Sequence, residues 1–514
     1  MPLIFILLAA LAAPDTSSGE EFLRQGATAQ GAVNHLCLLY HGQARRPAWT
    51  AESLRPYVAV VNSDNKAADW LFDSFLFIEF ATDDGKQLYY HAKEKTQPDI
   101  RDWQWLADAW FRPDSGLIGL ERCVAAIGTE LGQPDHTVNV FITLPVPLRE
   151  ITHFGTLPGG NASLDFGNET DRQEALRWYV DTVCARFSAG SYPHLKLRGF
   201  YWTGESIGEM DFPIVQNTSD MLHANGLLHY WIPYFSAAGV GEWRRLGFDA
   251  MMLQPNYFFD GDGGLARLAS ASRRAGHFGG GVEMEFDGRA LSSEAHARRF
   301  WDYLDAGAKY GWMRGALTGW YEGGGALGML FRDAEKGRSM YNAVCRYVKG
   351  TYQPREPERL PNLPESPKRS DANLALASKG AKITGAINDG NPALSPEKMI
   401  DGDVVSFTGS TGLLWFHIPG SVVVELAAPA MVGRTQLLLF DLDDRYYSYT
   451  LETSPDGRQW EAAVDKSVFE ARGWQVDNFT PRTAKYIRLT GLANSTGQHL
   501  MQVVELEVYP PDSH

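Results

Sequence analysis

The 514-residue sequence predicts an α/β protein that consists of a (β/α)8 TIM barrel followed by an antiparallel β-sandwich. Three observations support this fold class. Eight apolar runs alternate with amphipathic helical patterns, a proline-rich stretch follows them, and short strands of alternating polarity occupy the rest of the chain. Apolar strands separated by amphipathic helices are typical of a parallel sheet that helices cover on both faces, and eight such units favour a closed barrel.

The predicted barrel occupies residues 30–350. Its strands lie in HLCLLY (35–40), LFDSFLFIEF (71–80), TVNVFITLP (137–145), LRGFYW (197–202), GLLHYWIPYF (226–235), FDAMMLQPNYFF (248–259), GVEMEF (281–286) and GALTGWYE (315–322). Between strands, the segment 171–187 places Leu176, Val180 and Val183 on one helical face. No glycine-rich phosphate-binding fingerprint follows the first strand, which disfavours a nucleotide-binding sheet.

Residues 351–370 hold five prolines and many charged side chains without an apolar stripe, which predicts a linker between two domains. After this linker, at 371–514, runs such as SVVVEL, RTQLLLFDL and KYIRLTGL alternate in polarity, and SPDG marks a turn. The pattern predicts an antiparallel β-sandwich.

The N-terminal residues 1–18, MPLIFILLAALAAPDTSS, combine a short apolar run with an Ala-rich exit. A bilayer-spanning helix takes about 20 residues, so this run is too short to span and is typical of a signal peptide. We therefore expect a bacterial protein that is secreted or periplasmic. A buried N-terminal segment is the alternative, and no other stretch predicts a transmembrane helix.

The amino-acid composition disfavours some classes of binding partner. The net charge of −15 would repel nucleic acids and anionic membrane surfaces. Aromatic residues make up 12% of the chain, which suits stacking on sugar rings as well as a large core. The cysteines are far apart without a CxxC pair, which indicates buried free thiols; they are Cys37, Cys123, Cys184 and Cys345.

Carboxylates stand at the ends of two predicted strands. Glu205 follows the fourth strand in RGFYWTGES, and Glu283 and Glu285 lie two residues apart on the seventh, in GVEMEFDG. Active sites of such barrels form at the C-terminal strand ends, so these groups are expected to face each other. Glycosidic cleavage needs one carboxyl to protonate the leaving oxygen and another to attack the anomeric carbon or activate water. Ion pairing or helix capping is the alternative role.

Other strand ends carry aromatic, amide and acidic side chains that suit a sugar site. The candidate substrate-binding residues there are Tyr40, His41, Glu79, Trp202, Tyr234, Gln254, Asn256, Trp320 and Tyr321. Asp165 in the loop 159–169 is a further candidate, and an Asx turn is its alternative role. Strand-end aromatics also pack under loops.

The segments LLYHG, FDSFLFIEF, GFYWTGES, IPYF, FDAMMLQPNYFF and GVEMEFDG resemble the bacterial family known as domain of unknown function 4855 over about residues 30–350. The resemblance implies a barrel similar to glycoside hydrolases. The two glutamate-bearing strands also resemble the clan of retaining barrel glycosidases, which implies an acid/base role for Glu205 and a nucleophile on strand seven. MEFD resembles that strand's ending in some xylanases, which favours Glu285 over Glu283. Gly204 stands where the clan usually has Asn.

The C-terminal part resembles a discoidin, or coagulation factor 5/8 type C, domain and is similar to family 32 carbohydrate-binding modules. The segments involved are NLALASKGAKITG (373–385), MIDGD (399–403), ETSPDGRQW (452–460), AKYIRL (484–489) and VVELEVY (503–509). The resemblance implies a discoidin-like jelly roll that binds glycan. It also implies a structural Ca2+ at Asp401, Asp403 and Glu505, because oxygen ligands suit Ca2+. A plain turn is the alternative for this loop.

These features predict an exported glycoside hydrolase that acts on a poly- or oligosaccharide without a catalytic cofactor and carries an appended carbohydrate-binding module. The alternative is a non-catalytic glycan-binding or surface scaffold protein with a degenerate barrel. Such a barrel would more often have lost Glu205 or the glutamates of strand seven. A lyase or esterase would need a Lys/Tyr/Arg or Ser/His constellation at the strand ends, and we expect no G-x-S-x-G nucleophile elbow in this chain.

Overall fold

The computed structural model describes residues 22–26, 33–89, 97–260, 264–363, 366–384, 395–404, 407, 412–442 and 445–511. The predicted signal peptide at 1–18 lies outside these residues, and its removal stays a prediction. Within the described part of the chain, no helix is both long enough and apolar enough to cross a membrane.

The predicted barrel is confirmed: eight parallel strands close on themselves, with the last strand paired to the first. Each strand lies within or overlaps one of the predicted apolar runs. The strands are β1 (His35–Tyr40), β2 (Ser74–Ile78), β3 (Val138–Leu144), β4 (Leu195–Trp202), β5 (Leu228–Trp231), β6 (Ala250–Leu253), β7 (Gly281–Glu285) and β8 (Thr318–Tyr321). A short antiparallel hairpin, Ala59–Val61 with Ala67–Trp70, lies outside the barrel.

Helices connect and cover these strands. They are α1 (Ala51–Val58), α2 (Ile100–Ala109), α3 (Leu117–Glu130), α4 (Glu169–Ala189), α5 (Phe212–Ala224), α6 (Tyr257–Asp260), α7 (Gly264–His277), α8 (Arg289–Ser292), α9 (Glu294–Lys309), α10 (Trp312–Gly315), α11 (Ala326–Arg332) and α12 (Lys336–Val348). The helix predicted at 171–187 lies in α4, where Asn168 accepts a capping hydrogen bond from the N–H of Thr170. Between β5 and β6, a 3₁₀ turn, Val240–Glu242, replaces an α-helix.

Side chains on the barrel strands alternate between two apolar layers. In β1, Leu36, Leu38 and Tyr40 belong to the cluster inside the barrel, whereas Cys37 and Leu39 pack in the layer beneath the helices. Both layers are apolar, as expected for a sheet covered on both faces. The alternation therefore decides which strand-end side chains reach the barrel mouth.

The C-terminal part is an antiparallel sheet, as predicted. Its strands are β9 (Lys382–Thr384), β10 (Leu414–His417), β11 (Gly420–Leu439), β12 (Tyr447–Ser454), β13 (Glu461–Ala471), β14 (Trp474–Asn494) and β15 (Leu500–Tyr509). They pair in the order β10-β15-β11-β14-β12-β13, and β9 pairs with β11. The long strands β11 and β14 shift register twice along their length. Such bulges bend a strand, and the sheet encloses an apolar core of its own.

The two parts of the chain contact each other along α7. Arg273 forms a buried ion pair with Asp441, with Nη2 and Oδ2 at 2.5 Å. Ser270 donates to the backbone oxygen of Asp441 at 2.9 Å, and Arg274 donates to the backbone oxygen of Phe407 at 3.0 Å. The first half of the predicted linker, 352–361, which we call the strap, packs on α9 and buries Tyr352.

Candidate functional site

The C-terminal ends of the barrel strands surround a cavity of about 240 Å³. It is lined by Leu38, Tyr40, Ile78, Phe80, Tyr201, Glu205, Ile232, Gln254, Asn256, Phe259, Glu283, Glu285 and Tyr321. The three glutamates predicted to be catalytic therefore meet in one place. Among the described lining residues there is no lysine, arginine or histidine, so no cation neutralises these carboxylates by direct contact in the cavity.

Glu205 lies in the loop that follows β4. Its Oε1 accepts a hydrogen bond from Nε2 of Gln254 at 3.1 Å, and the same nitrogen donates to the backbone oxygen of Ile232 at 2.9 Å. Burial raises the pKa of Glu205, and the Gln254 hydrogen bond opposes this only in part. The carboxyl group therefore retains its proton at a higher pH than an ordinary glutamate does.

Glu285 ends β7 and is only 2% exposed. The Tyr303 hydroxyl of α9 donates to Oε2, and Nδ2 of Asn256 lies 3.4 Å from Oε1. Asn256 Nδ2 also donates to Oε1 of Gln254 at 2.9 Å. Two amide side chains therefore connect Glu205 to Glu285 around the cavity.

Glu283 lies two residues before Glu285 on the same face of β7, and it is 3% exposed. Burial raises the pKa of Glu283 well above the usual range, and the nearby carboxylates of Glu285 and Glu205 raise it further. Because like charges in a desolvated site cannot all ionise, the cavity favours a neutral Glu283.

Aromatic rings form much of the remaining wall. The Tyr40 ring packs against Phe80 and Tyr321, with centroids 5.7 Å apart in each pair, and Phe259 lies 5.4 Å from Tyr321. Phe80, Phe259 and Tyr201 were not among the predicted site residues. Tyr201 and the predicted Trp202 are neighbours on β4 and point to opposite faces of the strand. The sequence pattern does not show which of the two faces the cavity.

Four predicted residues thus line the cavity beside the glutamates: Tyr40, Gln254, Asn256 and Tyr321. Trp202 and Trp320 do not, because they occupy the outward positions of β4 and β8 and pack beneath the helices. Trp320 contacts Tyr347 of α12 edge-on, with centroids 5.4 Å apart. Their placement does not support a direct role in substrate binding.

His41 and Glu79 also lie outside the cavity lining. The Nε2 atom of buried His41 is 3.0 Å from the backbone oxygen of Ala109. Glu79 pairs with Arg46 at 2.6 Å and accepts the N–H of Gln43 at 3.0 Å. Both side chains fix the loop after β1, and Glu79 thereby has the ion-pairing role considered as the alternative for strand-end carboxylates.

Asp165 and Tyr234 are likewise absent from the lining. Asp165 accepts the N–H of Gly167 at 2.8 Å, which is the Asx turn considered as its alternative role. Tyr234 is half-buried against the outer core. The expectation that the chain has no G-x-S-x-G pattern is wrong, because Ser206 completes one in GESIG. Its Oγ accepts the N–H of Ala238 at 3.0 Å and has no histidine partner among the described residues, so the pattern is not a nucleophile elbow.

The predicted calcium ligands lie near one another, with Glu505 on β15 and the two aspartates in the loop 401–403. Lys398 pairs with Asp401 at 2.8 Å, and Glu505 Oε2 accepts the N–H of Gly402 at 3.1 Å. Burial raises the pKa of Glu505 to about 9. Within the described ranges, no group of three His, Cys, Asp or Glu residues could hold a metal ion. Calcium binding at Asp401, Asp403 and Glu505 stays a prediction.

Family models match both parts of the chain. The model described as "Domain of unknown function (DUF4855)" matches residues 35–346, and the model described as "F5/8 type C domain" matches residues 383–506. The two matches correspond to the barrel and to the C-terminal sheet.

Similar curated proteins share only a part of their length with this chain. BTB/POZ domain-containing protein 9 of Drosophila melanogaster is 34% identical over 157 residues, which are 30% of this chain and 20% of that protein. The Homo sapiens protein of the same name is 33% identical over 127 residues, which are 24% of this chain and 20% of that protein. The chain thus spans about a fifth of the length of the curated relatives it matches.

Solved structures similar to this chain include single modules. Chitosan-binding module 1 from a chitosanase/glucanase of Paenibacillus sp. IK-5 is 25% identical, covers 27% of this chain and 98% of its own, and has a TM-score of 0.21. The module CpGH89CBM32-5 from Clostridium perfringens, solved with GalNAc-β-1,3-galactose, is 17% identical, covers 27% and 99%, and has a TM-score of 0.22.

Proposed function

The chain belongs to the family described as Domain of unknown function (DUF4855), and we propose that its barrel is a glycoside hydrolase with Glu205 and Glu285 as the catalytic pair. The observation that carries this proposal is their arrangement around one cavity, where Gln254 and Asn256 connect the two carboxyl groups. Carboxyl groups that flank one cavity are what glycosidic cleavage requires.

Burial raises the pKa of both glutamates, so each can hold a proton near neutral pH. A raised pKa suits Glu205 as the general acid that protonates the leaving oxygen. At Glu285 the pKa rises to about 7 although hydrogen bonds from Tyr303 and Asn256 favour the ionised form. Its role as nucleophile or base therefore rests on the resemblance of its strand to that of retaining barrel glycosidases. Glu283, buried between them, remains neutral and hydrogen-bonds substrate.

We also propose that the C-terminal domain binds carbohydrate and that the protein is exported. The F5/8 type C match and the resemblance to family 32 modules support the first part. Phe469 and Tyr446 offer exposed aromatic surface for stacking on sugar rings, with 60% and 38% of their surface accessible. The apolar segment 1–18 supports export.

The roles of the pair are tested with Glu205→Gln and Glu285→Gln on matched substrates. Glu205→Gln should reduce turnover of a glycan with a poor leaving group by about 10²–10⁴-fold. It should slow an activated aryl glycoside much less, because that leaving group departs without protonation. Glu285→Gln should abolish both reactions. Initial rates on both substrates, found first by screening a glycan library, provide the measurement.

Several outcomes would reject the assignment. Near-wild-type turnover of the natural glycan by either variant would exclude that glutamate. An active Glu285→Gln beside an inactive Glu283→Gln would move the nucleophile two residues back along β7. Glycan binding without any product, in wild type and variants alike, would instead identify the non-catalytic scaffold considered as the alternative.

A further inference from the structure

Given the proposed function, we infer that Tyr303 is a positioning residue that orients the Glu285 carboxylate and favours its ionised form. Tyr303 lies in the middle of α9, the helix that follows β7 and α8, and it is 2% exposed. Its ring points back to the C-terminal end of β7, where the hydroxyl donates to Oε2 of Glu285. A residue in mid-helix gives no strand-end signal in the sequence.

The hydroxyl of Tyr303 is itself held in place. The backbone N–H of Tyr257, at the start of α6, donates to the phenolic oxygen at 3.2 Å. This donor occupies a lone pair of the oxygen, so the phenolic proton is directed to Glu285. Asn256 reaches the other carboxylate oxygen, Oε1, at 3.4 Å. Neutral donors therefore reach both oxygens of Glu285, and hydrogen bonds from the backbone N–H groups of Asn256 and Tyr257 add to them, so the carboxylate plane is fixed.

The charges around Glu285 make these hydrogen-bond donors important. The titratable groups that face it are Glu205 of the β4 loop, Glu283 of β7, Tyr321 of β8 and Tyr303 of α9, and none is a cation. Burial, with a smaller contribution from Glu205, raises the pKa of Glu285 to about 7, and the hydrogen bond from Tyr303 is the largest of those that oppose this rise, ahead of the backbone N–H groups of Asn256 and Tyr257. Among the described residues, neutral hydrogen bonds alone favour the anion here.

The strap, 352–361, fixes the helix that carries Tyr303. Tyr352 donates to Asp305 at 2.6 Å, and Arg359 pairs with Asp302 at 3.2 Å. These two aspartates flank Tyr303 on α9, and both are almost completely buried. Two contacts therefore set the position of the Tyr303 phenol relative to β7. The backbone N–H of Tyr257 holds its hydroxyl, and the strap holds the helix that carries it.

The test is a titration of Glu285 by NMR in full-length protein that carries ¹³C-labelled glutamate side chains. The resonance that disappears in Glu285→Gln identifies the group. In Tyr303→Phe, which keeps the ring, the Glu285 titration should move upward by about one pH unit, because a hydrogen bond to the charged form is lost. Tyr303→Met, which also lacks a donor, provides a second variant should the phenylalanine variant fail to fold.

Tyr257→Phe is the matched control. It removes a buried hydroxyl that donates to Asp302 at 2.9 Å but keeps the backbone N–H that contacts Tyr303. Its Glu285 titration should equal that of the wild type. An unchanged titration without the Tyr303 hydroxyl, or an equal shift in the control, would overturn the inference. The measurement needs no substrate, so a lack of hydrolysis would reject the proposed function without affecting this result.

Discussion

Glu205, Glu283 and Glu285 share one cavity but differ in the hydrogen bonds that reach them. Glu285 accepts from Tyr303 and Asn256, and Glu205 accepts from Gln254. Burial raises the pKa of each, and the other two carboxylates add to this effect at Glu283. Glu283 is thus the glutamate whose ionisation is least favourable, and the proposed chemistry does not require it to ionise.

Glu283→Gln should stabilise the barrel relative to wild type, and increasingly so as the pH rises. A glutamate in the unfolded chain has a pKa of about 4.3, but burial raises the pKa of Glu283 in the folded state. Between these two pKa values the folded state binds the extra proton, so wild-type stability falls by up to about 1.4 kcal/mol per pH unit. Gln cannot ionise and avoids this loss. Urea unfolding at pH 5 and pH 7.5 measures the difference.

Glu294→Gln, at an exposed position of α9, is the control and should show no such pH dependence. A stability difference between Glu283→Gln and wild type that stays constant from pH 5 to pH 7.5 would show that Glu283 does not titrate with a raised pKa. The assignment of a neutral Glu283 would then be wrong.

At the scale of elements, the strap and α9 behave as one packed unit. The sequence predicts a linker at 351–370 from its prolines and charges, yet Asp305 accepts the Tyr352 hydroxyl and the N–H groups of Arg355 and Glu356 at 2.6–2.9 Å. Lys309 of the same helix donates to the backbone oxygen of Leu360 at 2.6 Å. Backbone groups held in this way are poorly accessible to proteases.

Asp305→Ala should expose the strap to limited proteolysis. The substitution removes the acceptor that holds one side chain and two backbone N–H groups, so local opening becomes more frequent. Mass spectrometry of early tryptic fragments should show faster cleavage after Arg355 and Arg359 than in wild type. The exposed Glu294→Ala on the same helix serves as the control. Wild-type protein cut there as quickly as Asp305→Ala would contradict the packing.

At the scale of the whole molecule, the C-terminal domain contacts the flank of the barrel where the β5–β6 connection lacks an α-helix. Phe235 of that connection stacks with Arg267 and Arg274 of α7, at 4.2 and 5.5 Å. Phe407 of the C-terminal domain accepts from Arg274 and contacts its guanidinium at 5.6 Å. Arginines of α7, of which Arg273 and Arg274 are buried, therefore hold the C-terminal domain against the barrel.

Asp441→Ala should weaken this contact. The substitution leaves the buried Arg273 without its carboxylate, and loss of one partner of a buried ion pair typically costs about 3–5 kcal/mol. Calorimetry should show a lower unfolding temperature and a separation of the barrel and sheet transitions. Glu242→Ala, which removes the partner of exposed Arg245, should change stability by about 0–1 kcal/mol. Equal effects of the two substitutions would refute the role of Asp441.

The sequence by itself determined the architecture and which carboxylates stand at the strand ends. Apolar runs of strand length, separated by segments with helical periodicity, were sufficient to locate all eight barrel strands. The reason is that a sheet buried on both faces needs strands that are apolar on both faces. The glutamates followed from the rule that barrel sites form at C-terminal strand ends. Local turn motifs identified the C-terminal sheet in the same way.

Only the tertiary structure decided which strand-end side chains face the cavity. Both faces of a barrel strand are apolar, so the pattern cannot distinguish inward Tyr201 from outward Trp202, or Tyr321 from Trp320. The contact of Tyr303 with Glu285 depends on how α9 packs against β7, and residues 18 positions apart carry no local signal of that distance. Periodicity specifies an element and its faces, but closure of the barrel and helix packing determine which groups meet.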